Sequence, residues 1–375
     1  MNKRANGEGT IRKREDGSWE ARFVYNNTRY SLYGRTQAIV RKKLTDAQAK
    51  IDGGAYTPPS SITVAEWLTK WQKEYLRNIK TSTRERYDVD IRLHIIPEIG
   101  KVTLSKLSSD RITTLYNRMQ DTGLSVKSIK NLHGTLHAAL ERALILHLVS
   151  KNPCEEVILP ESEEAKEEMH PLKDAQVKQF RLEIKGNRYE LLYNVALFTG
   201  MRQGELIGLT WDCIDFDRNT IHVYRQLKRI AKGNGEFKFT TLKNKQDRTF
   251  KVPLEVINLL KKVKRQQVEW KLKCGESWQE TGLVFTQEDG SNVNDRTVYN
   301  NFKRIVKKMG LPDVRFHDLR HTYATLALQN GIDPKTVSST LGHATVAFTL
   351  DKYGHVSETM WNDSAEKMQR FIESM

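Results

Sequence analysis

The chain has 375 residues, with 61 Lys and Arg against 46 Asp and Glu and a formal net charge of +15. That length exceeds one ordinary core, so two or three domains are expected. The charge points to a polyanionic partner, DNA or RNA rather than a membrane surface, because no segment approaches the roughly 18 apolar residues that a span needs.

Residues 1–55 read as a small sheet covered by a helix. Thr10–Arg14, Trp19–Tyr25 and Thr28–Tyr33 are strand-length runs, separated by the turn sequences Glu15-Asp16-Gly17 and Asn26-Asn27. Trp19, Ala21, Phe23 and Tyr25 alternate onto one face, and Val40, Leu44, Ala47 and Ile51 follow at helical spacing to cover it. Arg12, Arg14, Arg22 and Arg29 are then left for solvent or phosphate, and so basic a sheet suits a major groove.

Gly53-Gly54 and Pro58-Pro59-Ser60-Ser61 break the pattern as a linker. From Ile62 to about Val157 the pattern is helical. Trp67, Trp71 and Tyr75 repeat every four residues, Ser82-x-x-Glu85 reads as a capping box, and a third helix starts near Ser109. Ile129, Leu136, Leu140, Ala143 and Leu144 form the apolar stripe of a fourth helix, and Pro153 ends the block. Lys80, Arg84, Arg86 and Lys127 are candidate phosphate contacts.

Residues 161–168 are acidic within a basic chain and read as a second linker. The remainder is mixed, with helices expected near 188–199, 202–208, 254–273, 294–308, 317–329 and 335–341. Hairpins are expected around Asp217-Arg218-Asn219 and around Asn244-Lys245-Gln246-Asp247. The expected fold class is therefore multidomain α+β: a three-stranded sheet plus helix, a block of four to five helices, and a mostly helical domain with small β-hairpins. Cys154, Cys213 and Cys274 are far apart, and the polar, basic N-terminus lacks the apolar stretch of a signal peptide. Both features suit a reduced, cytoplasmic protein.

The chemistry concentrates in five elements. These are Thr199-Gly200-Met201-Arg202-Gln203-Gly204-Glu205-Leu206, Lys243 in a basic run, His317-Asp318-Leu319-Arg320-His321, Leu341-Gly342-His343, and Tyr353. Arg202 and Glu205 are three apart on a short helix, so the arginine can turn its fork to phosphate oxygens while the carboxylate steadies it. His317 and Arg320 are also three apart. Two arginines on one phosphate would neutralise a dianionic phosphorane where metals are otherwise needed. His317 and His321 at i,i+4 would suit zinc, but no Glu follows His317 and no cysteine is near, so no metal and no cofactor is expected. Arg225, Lys228, Arg229, Lys232, Lys238, Lys243, Lys245, Arg248 and Lys251 form a run whose members are mostly phosphate contacts or solvated charge.

These strings, in this order, resemble the active site of the tyrosine recombinases, the phage-integrase family. Thr-Gly-Met-Arg-Gln-Gly-Glu-Leu is similar to the family's first arginine motif and Arg-Phe-His-Asp-Leu-Arg-His-Thr to its His-x-x-Arg box. Leu93-His94-Ile95-Ile96-Pro97-Glu98-Ile99-Gly100 resembles the middle of its core-binding domain, and residues 1–55 resemble the arm-binding domain at the start of lambda-like integrases. The resemblance implies that Tyr353, picked out among thirteen tyrosines by its spacing from Leu-Gly-His, attacks a scissile phosphate. The products are a 3′-phosphotyrosine and a free 5′-hydroxyl. Only about one phenol in a thousand is ionised at pH 7. Nearby guanidinium groups would lower its pKa, His317 would accept its proton, and His343 would donate to a non-bridging oxygen.

By the same resemblance a lysine at a hairpin tip protonates the leaving 5′-oxygen. Lys243 is favoured over Lys245, although the family usually has Thr after this lysine and the chain has Asn244. The implied organisation is an arm-type DNA-binding domain at 1–55, a core-binding domain at 62–158, and a catalytic domain at 169–375 with a tail helix at about 359–375. Implied partners are double-stranded DNA at core and arm-type sites, a homotetramer on that DNA, an excisionase and a host DNA-bending protein, with no membrane. Trp361, Ala365, Met368, Phe371 and Ile372 give the tail an apolar stripe that recombinases pass to a neighbouring protomer. A Xer-like resolvase or a type IB topoisomerase shares the chemistry but usually lacks the N-terminal sheet. A non-catalytic DNA-binding regulator is disfavoured by the intact set of polar residues, and a metal-dependent nuclease by the absence of a suitably spaced acidic pair.

Overall fold

The structure, a computed structural model, describes residues 9–25, 27–53, 61–161, 169–230, 236–242, 247–354 and 368–375. The chain divides into two compact units, Met1–Ala165 and Lys166–Met375. The linkers expected around 54–60 and 162–168, Asn26, Lys243, Lys245 and the tail residues Trp361 and Ala365 lie outside the described residues.

In the first unit, β1 (Thr10–Lys13), β2 (Trp19–Tyr25) and β3 (Thr28–Gly34) form an antiparallel sheet in that order. Helix α1 (Gln37–Asp52), capped by Thr36, buries Val40, Leu44 and Ala47 against Ala21 and Phe23, which alternate on β2 as the period-2 pattern requires. The other sheet face differs from the expected free arginines. Register sets Glu20 opposite Arg12 and Tyr33, and this 2% exposed carboxylate accepts Nε–H of Arg12 at 2.7 Å and of Arg22 at 2.9 Å. Arg14 lies over the Tyr33 ring and 3.6 Å from Asp16, while Arg29 is exposed.

Helices α2 (Val64–Tyr75), α3 (Thr81–Val89), α4 (Ile96–Ile99), α5 (Ser109–Asp121) and α6 (Val126–Ile145) then share one core. The capping box expected at Ser82 and Glu85 is absent, because α3 already begins at Thr81, with Lys80 at its N-cap, and Ser82 is inside its first turn. The box forms at Thr63 and Glu66 instead, where Thr63 is extended and its Oγ1 accepts the Glu66 N–H. Trp67 Nε1 donates to Ala139 O at 2.9 Å, tying α2 to α6. Between α3 and α4 the helix widens into a π segment, Asp90–Ile95, just before Pro97, which has no N–H for the α-helical ladder. Arg84 donates to the carbonyl of Leu76, and Arg86 to Asn131 Oδ1. Lys80 and Lys127 are exposed.

The second unit carries α7 (Asp174–Glu183), α8 (Glu190–Thr199), α9 (Gln203–Ile207), β4 (Ile214–Asp215), β5 (Thr220–Val223), β6 (Arg225–Arg229), β7 (Phe237–Thr241) and β8 (Arg248–Lys251). It continues with α10 (Leu254–Cys274), α11 (Asp295–Lys308), α12 (Asp318–Gln329), α13 (Pro334–Leu341) and α14 (Val346–Tyr353). Phe180, Tyr193, Phe302 and Phe316 meet edge-on or tilted at its centre. The hairpin at 217–219 joins β4 and β5. The strands that flank the hairpin expected at 244–247 do not pair with each other: β7 pairs with β6 and β8 with β5. Helices α7 and α14 were not expected from the sequence. Among the described residues, no helix is long and apolar enough to cross a membrane.

Candidate active site

The site is built where α8, α9, β8, α12, α13 and α14 meet. Helix α8 stops because Gly200 turns left-handed, φ 60°. A Cβ there would sit 2.6 Å from Leu341 Cδ2 and 2.7 Å from the Tyr323 ring, so this turn admits glycine alone. The turn throws Arg202 to the start of α9. Glu205, one turn on, accepts the Arg202 backbone N–H at 3.1 Å and its Nη1 at 2.8 Å. The same carboxylate takes Nη2 of Arg248 at 2.7 Å and Nη1 at 3.3 Å, and Arg248 Nε donates to Thr340 O at 2.7 Å. Arg248, 9% exposed, was expected among the phosphate contacts or solvated charges of the basic run. It is instead a strut between α9 and the end of α13.

Arg320, on α12, is 2% exposed and donates Nη1 to Gly200 O at 2.9 Å and Nη2 to Leu341 O at 2.6 Å. Helix α13 also ends in a left-handed glycine, Gly342, which turns the chain so that His343 enters the same pocket. His343 Nδ1 is bonded to the buried Thr349 Oγ1 of α14 at 2.8 Å, leaving Nε2 for a ligand. Tyr353 closes α14. Its hydroxyl lies 2.6 Å from Nδ1 of His321, and its ring stacks on His343 with 6.0 Å between centroids.

Arg202, His317, Arg320, His343 and Tyr353 therefore line one pocket of about 630 Å³, together with Arg315, His321 and Lys352. Glu205 stands behind it, bonded to Arg202. Burial disfavours charge on Glu205, but Arg248 and Arg202 outweigh it and hold the carboxyl down to about 2. Burial, then neighbouring cationic groups, push His317 and His321 down to about 4 and His343 to about 3, so all three imidazoles are neutral near pH 7. Burial and Arg202 also lower Arg320, whose high ordinary value keeps it cationic at that pH. For Tyr353 the expectation reverses: burial raises the phenol pKa by more than Arg320 and Arg202 lower it.

Sequence reasoning passed over two residues. Arg248 carried no local signal, since its partner Glu205 is 43 positions away. His321 was considered only as a metal ligand, yet it and not His317 touches the phenol. Among the described residues, the grouping of histidine and carboxylates compact enough for a cation is His137, Glu141 and Glu155, which belongs to the other unit.

A sequence profile of the phage integrase family matches residues 164–360, and one for the N-terminal SAM-like domain of phage integrases matches residues 63–120. A "tyrosine recombinase XerC-like" protein of Caldanaerobacter subterraneus subsp. tengcongensis is 31% identical over 91% of this chain and 91% of its own length. The ICEBs1 integrase of Bacillus subtilis is 28% identical over 97% of this chain and 100% of its own. The solved Tn1549 transposon integrase in complex with a circular intermediate DNA superposes with a TM-score of 0.68 and 26% identity, covering 82% of this chain and 100% of that one. The lambda integrase tetramer bound to a Holliday junction shares the fold, with a TM-score of 0.59 at 19% identity over 95% of this chain and 99% of that one.

Proposed function

The chain belongs to the phage integrase family, and from that footing we propose that it integrates and excises a mobile element by site-specific DNA recombination through Tyr353. The observation that carries this reading is the convergence of Arg202 and Arg320 with three histidines and Tyr353 on one pocket. Arg202 and Arg320 bind the non-bridging oxygens of the scissile phosphate and offset the charge that grows in the phosphorane. Their forks are held beforehand, by Glu205 and by the carbonyls of Gly200 and Leu341, so little reorganisation is left for the reaction. His343 donates from Nε2 to the same phosphate. Tyr353 Oη attacks, the 3′-phosphotyrosine keeps the bond energy, and a partner strand's 5′-hydroxyl reverses the step. Lys243, with Lys245 as the alternative, protonates the leaving 5′-oxygen.

Two rounds of exchange through a Holliday junction within a homotetramer on DNA complete recombination. Residues 1–55 bind arm-type sites, 62–158 the core site, and 169–375 cleave. Arg12, Arg14, Arg22, Arg29, Lys80, Arg84, Arg86, Lys127 and Lys245 are assigned to phosphate contact. An excisionase and a host DNA-bending protein set direction, and the work is done in the cytoplasm without metal or ATP. Relatives named as the ICEBs1 integrase and the Tn1549 transposon integrase support the mobile-element assignment. The deciding experiment is Tyr353→Phe on a nicked duplex carrying the element's crossover site. DNA binding should persist and the denaturation-resistant protein–DNA adduct should vanish, and an adduct formed by this variant would mean that another residue attacks.

A further inference from the structure

We propose that His321, oriented by the buried carboxylate of Asp318, is the base that takes the proton of Tyr353. The proposal rests on Tyr353 being the nucleophile and assigns a role to a side chain that the sequence reading gave to His317. His321 Nδ1 lies 2.6 Å from the Tyr353 hydroxyl. His317 packs edge-on against the His321 ring, 4.8 Å between centroids.

The buried surroundings choose the tautomer. Asp318 is completely buried, and its Oδ2 accepts the Arg315 backbone N–H at 2.7 Å with Arg315 Nε at 3.5 Å. Its Oδ1 is buried and has no hydrogen-bond partner among the described residues, and the polar atom facing it is His321 Nε2 at 3.9 Å. A carboxylate only accepts, so it favours the proton on Nε2. Nδ1 is then the lone pair that meets the phenol. This is the orienting logic of an Asp–His–nucleophile chain, with a phenol in place of a hydroxyl. The i,i+3 spacing of Asp318 and His321 sets both on one face of α12, and the end of α14 brings Tyr353 to that face.

The charged and titratable groups around His321 are Asp318, Arg320 and His317 at the start of α12, Arg315 before it, Lys352 and Tyr353 on α14, and His343. Burial first, then Arg320, Arg315 and Lys352, keep the imidazole neutral at pH 7, so it can accept. A phosphate seated on Arg202 and Arg320 offsets part of that positive field, and the base strengthens as the substrate arrives. In the step itself the Tyr353 Oη–P bond forms and the P–O5′ bond breaks. The phenol proton passes to His321 Nδ1, the resulting imidazolium is stabilised by Asp318, and the 5′-oxygen is protonated by the general acid. Rejoining runs each transfer backwards.

The test uses the full chain and the nicked crossover duplex, following covalent adduct formation from pH 6 to 9. His321→Asn keeps an acceptor atom where Nδ1 stood but cannot take a proton. It should lose about 10²- to 10⁴-fold in rate at pH 7, bind DNA as before, and recover about tenfold per pH unit as the phenol ionises directly. Installing 2,3-difluorotyrosine at position 353, whose phenol is more acidic, should restore most of that rate. Asp318→Asn, a positioning change, should lower the cleavage rate without weakening DNA binding and be relieved by the same fluorotyrosine. Independently of any change at 321, ¹⁵N-histidine spectra of the unsubstituted protein should show one neutral Nε2–H ring whose Nδ1 shift moves in Tyr353→Phe. Unaltered rate and pH profile in His321→Asn, a steep pH dependence appearing in His317→Asn instead, or an Nδ1–H tautomer would each overturn the proposal. Adduct formation by Tyr353→Phe would overturn the assignment of the nucleophile itself, a separate failure.

Discussion

Glu205 holds two guanidinium groups at once, Arg202 in the pocket and Arg248 behind it, at 2.8 and 2.7 Å. Replacing one partner of so buried a set leaves the others unpaired, which costs about 3–5 kcal/mol. Glu205→Gln should therefore lower stability by that order at pH 7, and should lower cleavage further because the fork of Arg202 loses its anchor. The pH dependence has a definite sign. The folded-state pKa, about 2, is below the ordinary 4.5, so the stabilisation is complete above 4.5 and fades as pH falls toward 2. Denaturant midpoints of Glu205→Gln and the unsubstituted protein should thus lie far apart at pH 7 and draw together between pH 4.5 and 2. A gap that stayed constant through that window would mean that the carboxylate's charge contributes nothing.

At the scale of elements, the described end of the tail is an unusual helix. Residues 368–373 are helical, and Met368, Phe371 and Ile372 are 59%, 60% and 58% exposed. Their i,i+3,i+4 spacing sets them on one face, and an apolar face of this kind gains by burial against a partner surface. Removing residues 360–375 should leave binding to a single core site intact and abolish cooperative assembly and regulated strand exchange. Band shifts on duplexes with one and with paired core sites measure the two effects separately. Normal synaptic complexes from the shortened chain would mean that the tail does not join protomers.

For the whole molecule, the proposed division of labour makes the first 55 residues dispensable for chemistry. The pocket is lined only by residues from 169 onward. Deleting residues 1–55 should leave cleavage of a minimal core site near its full rate. Integration that depends on distant arm sites should fall by a factor of about 10² or more, since tethering two binding modules raises effective concentration only while they are joined. Gel assays with minimal and full-length sites make the comparison. Equal efficiency on full sites would remove the arm-binding assignment.

Chain order and local spacing were enough to find the family strings. Arg202 with Glu205, and His317 with Arg320, are pairs three residues apart, and such a pair shares a helix face wherever the helix is packed. The helices expected near 188–199 and 335–341 do stop at Gly200 and Gly342, each in the left-handed turn that a side chain resists. The alternation along β2 and the stripe along α6 likewise told which faces are buried. Periodicity says nothing of what a buried face meets. That Arg248 braces Glu205, that β8 pairs with β5 rather than β7, and that the phenol of Tyr353 meets His321 are contacts across 43, 27 and 32 positions. Such contacts depend on how helices and strands pack, because desolvation and hydrogen bonding act between whatever groups the tertiary structure brings together. The motifs that meet at the pocket were legible in the sequence; which histidine faces the Tyr353 hydroxyl, and which arginine stands behind Arg202, were decided by packing.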